Sequence, residues 1–189
     1  GGNANPRKAV YRGDMEHSSK LDLPPGYSGT SLPAGDSAFA HACAIASERG
    51  AGAFVAVQRH DLVDFAVVLE PEEPLASARR GFFACMHALA EAIAAHCPPE
   101  RDVVFRWPDS VIFDAGLVGG GRLAWPQGCG EDEVPQWLVF GATLRAVDPA
   151  DADTGAYPDS TSLAGSGFEP HQIEAVAGSF ARHLMLAFD

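Results

Sequence analysis

The sequence predicts an α+β domain: a mixed, largely antiparallel sheet with helices packed on one face. Three observations predict it. Residues 103–125 read as strand, turn, strand, and a hairpin makes that part of the sheet antiparallel. Other apolar residues fall either in short β-rich runs or in stripes at helical spacing. The chain has 189 residues, 47% apolar and 20% charged, which suits one globular domain with a real core.

The elements follow in order. Residues 1–22 are read as a polar N-terminal extension that can be partly ordered, and residues 23–189 as a single domain. Leu23-Pro24-Pro25-Gly26-Tyr27 is a proline-stiffened lead-in expected to run along the surface. Asp36 or Ser37 can cap a helix over 37–49, with Gly50 as its stop and Phe39, Ala42, Cys43 and Ala46 as its apolar stripe. Strands are expected over 54–58 and 63–70. A long helix over 75–97 carries Phe82, Met86, Leu89, Ile93 and Cys97 on one face, and Pro98-Pro99 ends it. Strands over 103–107, 110–114 and 117–125 are expected to be neighbours, with Gly116 in the tight reversal taking positive φ. A polar loop leads to a strand over 136–147, then a loop rich in Asp, Gly and Ser. Pro170 opens a last helix with Ile173, Val176, Ala177, Phe180 and Leu184 as its stripe.

Charge and cysteine usage narrow the function. The formal net charge is −12, and the only two lysines are Lys8 and Lys20. A chain this acidic is repelled by phosphate backbones, so nucleic acid is not an expected partner. Cys43, Cys85, Cys97 and Cys129 show no metal-ligand spacing. Free thiols and the lack of a membrane-length apolar run point to a cytoplasmic protein with no membrane partner and no bound metal of its own. Cys129 lies in a Gly-Cys-Gly loop without an adjacent base, which disfavours an acyl-enzyme role. His87 and His96 read as edge-of-core residues.

The hairpin carries the candidate site. Gly119, Gly120 and Gly121 stand where a strand would normally carry side chains, so something must come close to that backbone. It can be another element of the fold or a small ligand lying on bare main chain. Arg106 can contact a ligand or pair with Asp109 or Asp114. Trp107 reads as a pocket wall. Arg59 and His60 form either a solvated turn or a ligand contact.

Arg106-Trp107-Pro108-Asp109-Ser110-Val111 resembles the Lys-Trp-Pro-Asn-Asp-Ile signature of biotin protein ligases, and Leu117-Val118-Gly119-Gly120 is similar to their Lys-Leu-Ala-Gly element. Gly35-Asp36-Ser37, Val57-Gln58, Phe140-Gly141-Ala142-Thr143 and Thr161-Ser162-Leu163 also resemble stretches of these enzymes. The sequence is identified as a divergent member of the biotin/lipoate protein ligase superfamily. That resemblance implies a one-faced mixed sheet and a two-step reaction using ATP and Mg²⁺. A carboxylic acid such as biotin, lipoate or octanoate is adenylated, and the acyl group passes to a lysine of a biotinyl or lipoyl carrier domain. It implies Arg106 as the catalytic cation, with Gln58, Arg59, Trp107, Asp109, Gly119, Gly120 and Gly121 binding the acid or its adenylate. The family's glycine- and arginine-rich loop is replaced by Gln58-Arg59-His60-Asp61. Its two signature lysines are Arg106 and Leu117, and its signature Asn is Asp109. Arginine keeps a permanent charge but lacks the compact ammonium of lysine, so weak adenylation is expected. The alternative is a non-catalytic ligase-like protein that binds an acyl ligand or a carrier domain.

Overall fold

A computed structural model describes residues 21–99, 103–113, 115–148 and 159–188. The extension over 1–20, both lysines, and Asp114 lie outside the described residues. One seven-stranded sheet runs in the order β1-β2-β3-β7-β6-β5-β4. Its strands are β1 (Ser28–Pro33), β2 (Ala53–Gln58), β3 (Leu62–Leu69), β4 (Val103–Arg106), β5 (Ser110–Phe113), β6 (Gly116–Ala124) and β7 (Leu138–Arg145). Only the β1–β2 pairing is parallel, so the sheet is mixed and largely antiparallel. The hairpin strands β4, β5 and β6 are neighbours, as expected.

Helices cover both faces, which corrects the one-faced expectation. Helix α1 (Ala38–Arg49) packs Ala38, Ala42 and Ala46 with Val55, Val57, Ala66, Val68 and Val139. Helices α3 (Gly81–Ala94) and α4 (Pro170–Phe188) pack on the other face, against Phe54, Ala56, Phe65, Val67, Phe140 and Ala142. The assignments alternate residue by residue along β2 and β3. Ala53 to Val57 are five consecutive buried residues, the pattern of a strand covered on both sides. Phe180 of α4 stands 4.8 Å from Phe65 and 5.5 Å from Phe140, centroid to centroid. Each such buried ring contributes roughly 1.5–3 kcal/mol.

The cap of α1 forms as its sequence requires. Ala40 N–H donates to Ser37 Oγ at 3.2 Å. Gly50, at φ 70°, closes the helix by donating to Ala46 O. The expected helix over 75–97 is two helices, α2 (Leu75–Ala78) and α3, broken at Arg79 and Arg80. The first turn is tied sideways instead of running on along the α3 axis. Leu75 and Ala76 N–H donate to Glu133 and Glu131 O, and the Arg79 guanidinium pairs with Glu131. The proline-stiffened lead-in gives way to β1, an edge strand that periodicity did not reveal. In the β5–β6 turn the positive φ falls on Ala115, at 67°, not on Gly116. Gly116 is buried, and a Cβ there would stand 2.8 Å from Thr161. That close approach comes from residues 159–163, laid along β6 and β7 by hydrogen bonds from Leu117 to Asp159, Thr161 to Leu117 and Leu163 to Arg145.

Candidate functional site

The sheet is covered unevenly. Helix α1 lies chiefly against β2, β3 and β7. On that side, among the described residues, α1 reaches β6 through Phe39 on Arg122 and no described helix makes comparable contact with β4 or β5, whereas on the other side α3 meets β4 and β6. Strand register places Arg106, Ser110, Gly120, Thr143 and Asp64 in one row across the sheet: Arg106 opposite Ser110, Ser110 opposite Gly120, Gly120 opposite Thr143, Thr143 opposite Asp64. Residues in register share a face. Asp64 alternates with the α3-side residue Phe65 and hydrogen-bonds the start of α1, so this row lies on the α1 side. It crosses from the covered half into the open half.

Asp64 anchors the covered end. It is 9% exposed and accepts a hydrogen bond from the backbone of Ala38, while the Arg122 and Arg59 guanidiniums attract it. Burial nevertheless pushes its carboxyl above the usual carboxylate range, against those three influences. Next to it, the Arg122 guanidinium stacks 4.1 Å over the Phe39 ring. Arg122 lies opposite Gly141, where a Cβ would meet Phe39 Cδ2 at 2.5 Å. The bare backbone at Gly141 thus lets Phe39 settle onto the sheet, and Arg122 lies on the ring. Sequence reasoning missed Arg122 and Asp64 as site residues. The usable signal was a lone arginine directly after three glycines.

The expected site residues divide. Arg106 and Gly120 share the open face, two strand spacings or about 10 Å apart. Trp107 is 79% exposed and precedes Pro108 through a cis peptide bond. Asp109 accepts from Ser110 Oγ at 3.0 Å. Among the described residues, no carboxylate pairs with Arg106. Strand alternation gives Gln58 to the opposite face, with Phe54 and Ala56. Gly119 and Gly121 also fall there, in register with the core residues Leu144 and Ala142.

The close approach expected over the three glycines is made by the chain itself. A Cβ at Gly119 would stand 2.0 Å from Thr143 O, one at Gly120 2.1 Å from Asp109 O, and one at Gly121 2.6 Å from Met86 Sδ. Arg59 is held by Asp61 through two hydrogen bonds of 2.7 and 2.5 Å. That pairing lowers the Asp61 carboxyl to about 2. His60 is exposed. Cys129 Sγ faces the Gly130 and Glu133 carbonyls, each at 3.7 Å. His87 lies 4.0 Å from Glu91 on the surface of α3.

A separate open cleft of about 830 Å³ lies at the other end of β2 and β3, between Tyr27, Gly52, Glu70 and Arg80. It contains none of the motif residues and is set apart from the row described above. Among the described residues, no three His, Cys, Asp or Glu side chains gather closely enough to hold a metal ion. No described helix is long and apolar enough to cross a membrane.

The sequence profile of the biotin/lipoate A/B protein ligase family matches residues 23–189. No curated protein sequence matches the chain. Solved structures do. A biotin protein ligase-like protein of unknown function from Silicibacter sp. TM1040 superposes with a TM-score of 0.77 at 29% identity, covering 89% of this chain and 73% of that one. The apo biotin protein ligase of Aquifex aeolicus gives 0.61 at 15% identity, over 85% and 70% of the two chains. The Leishmania major biotin protein ligase, solved with biotin, gives 0.56 at 15%, over 86% and 73%. At those lower identities the likeness is one of fold.

Proposed function

Because the chain belongs to the biotin/lipoate A/B protein ligase family, we propose that it binds a small carboxylic acid, or the acyl-adenylate of that acid, on the α1 side of β4, β5 and β6. The observation that carries this reading is the row from Arg106 to Asp64, where a sheet face bearing an arginine with no carboxylate partner among the described residues meets the start of α1. In this reading Arg106 holds the acid carboxylate or the adenylate phosphate, and Trp107 and Asp109 border the ligand. Gly120 forms part of the floor. Gly119 and Gly121 support that floor from behind, and Gln58 and Arg59 stand at the rim where β2 ends. Solved ligases of this fold have been crystallised with biotin or with biotinyl-5-AMP, which supports the choice of ligand class.

Adenylation would need ATP. Its charge would fall to arginine, because the domain over 23–189 has no lysine. The described residues offer no metal cage, so Mg²⁺ would arrive on the nucleotide phosphates. The acyl group would then pass to a carrier-domain lysine in the cytoplasm. A transition state at phosphorus gains from fixed positive charge, and Arg106 is the exposed cation on the motif strand. A second reading, binding without turnover, is favoured by one observation: the forked pairing with Asp61 already occupies Arg59, the cation of the degenerate phosphate loop.

The test is carboxylate-dependent pyrophosphate release with biotin, lipoate and octanoate, beside calorimetry with ATP and each acid. Arg106→Ala should weaken adenylate binding by about 2–4 kcal/mol, roughly 30- to 1000-fold. Release or binding that Arg106→Ala leaves unchanged would remove Arg106 from the site. Acid binding without pyrophosphate release would establish the non-catalytic reading.

A further inference from the structure

We infer that Arg122 selects the acid. It receives a hydrogen-bond acceptor at the far end of the ligand, so the substrate class is acids polar at both ends, not plain fatty acids. This inference rests on the acid-binding reading above. Arg122 lies on the same face as Gly120 and Arg106, two residues further along β6. From strand spacing and rise, its Cα is about 12 Å from that of Arg106. A medium-length acid held at one end by Arg106 would run along this face beside the Asp109 carbonyl, which fills the space next to Gly120, and bring its other end to Arg122.

That end of the path is built and polar. The Arg122 guanidinium lies over the Phe39 ring, 4.1 Å from Cζ to the centroid, and Phe39 in turn lies against the bare backbone at Gly141. The stack restrains an otherwise exposed side chain and its five N–H donors. Among the described residues no acceptor hydrogen-bonds them. Asp64 attracts the guanidinium electrostatically while its own carboxylate is engaged by the backbone at the start of α1. An apolar tail laid there would cover these donors and leave them unpaired, which is costly. An acceptor would satisfy them. A site that offers fixed donors rejects the analogue lacking the acceptor.

The experiment compares three eight-carbon acids by calorimetry: octanoate, suberate and the monoamide of suberate. They are titrated into the wild-type chain, Arg122→Leu and Arg122→Lys. Suberate or its monoamide should bind the wild type about tenfold or more tighter than octanoate. Arg122→Leu should remove that preference. Arg122→Lys should keep part of it, and that variant also controls for folding. Equal or tighter binding of octanoate by the wild type overturns the inference. So does a preference that survives in Arg122→Leu, or a loss of ATP binding in that variant with the preference intact. If none of the three acids binds the wild type, this inference fails; if biotin, lipoate and their adenylates do not bind either, the acid-binding reading fails with it. If octanoate binds as well as the others, only the inference fails.

Discussion

The two halves of the sheet are made of the same kind of strand and treated differently. Strands β2, β3 and β7 are packed between α1 on one side and α3 and α4 on the other. Strands β4, β5 and β6 meet α3 and the core on one side, and on the other, among the described residues, carry only the edge of α1 at Phe39. In the covered half successive residues are buried, as in Ala53 to Val57. At the edge of the open half the two faces differ: Val104 is 53% exposed, while its neighbour Val103 packs against the core. The difference teaches where selection for packing stops. The covered half makes the fold, and the open face is left free to present side chains.

That contrast can be broken most forcefully at Phe180. Phe180→Ala removes the ring that joins α4 to Phe65 and Phe140 and should cost about 3–5 kcal/mol in urea denaturation. A loss below about 1 kcal/mol would mean that the covered half is not the stabilising core. Gly141→Ala comes next. Its new methyl would meet Phe39 Cδ2 at 2.5 Å, and overpacking of this sort costs about 1–3 kcal/mol. The same variant should dislodge Arg122 from Phe39, so acid binding and stability should change together. If neither changes, the stacked wall is adaptable.

A smaller effect is expected from pH. Burial, with the nearby charges of Arg182, His171 and His183, holds His96 below the usual histidine range, and its Nε2 is buried without a partner. A folded pKa below the unfolded one means that the unfolded chain binds the proton more readily. The stabilisation is therefore present above the unfolded value of about 6.5 and is lost as pH falls through the lower folded value. Urea midpoints should drop between pH 7.5 and pH 5, and His96→Gln should flatten that dependence. An unchanged slope in the variant would assign the acid sensitivity elsewhere. The smallest effect belongs to the open face. Val104→Ser should alter stability by no more than about 0.5 kcal/mol. A larger loss would show that this face is covered in solution, by a partner or another copy.

Much of the fold was legible because its signals are local. Ser37 and Gly50 bracket α1, the stripe of α4 is buried as spaced, and the hairpin strands pair in the expected order. Strand β1 was not legible. Its sequence, SGTSLP, has little strand propensity and is extended because β2 offers it hydrogen bonds. The break at Arg79 and Arg80 was hidden for a similar reason, since the ties to Glu131 and Glu133 come from residues some 50 positions away. Burial of the sheet on both faces was written in the unbroken apolar runs of β2 and β3, yet helix order alone suggested one face. Of the candidate row, motif spacing singled out Arg106 and Gly120. Asp64 and Arg122 gain meaning only when register aligns four strands, which no single stretch of sequence displays.

The uneven cover also sets a timetable for isotope exchange. Amides of β3 and β7, hydrogen-bonded on both sides and roofed by helices, open only with the whole domain and should exchange last. Amides of β4, at the sheet edge with one neighbour strand and one bare face, can open by peeling away alone. In deuterium the molecule should therefore record its architecture as a gradient in time, running inward from the strand that bears Arg106 to the strands that carry the core.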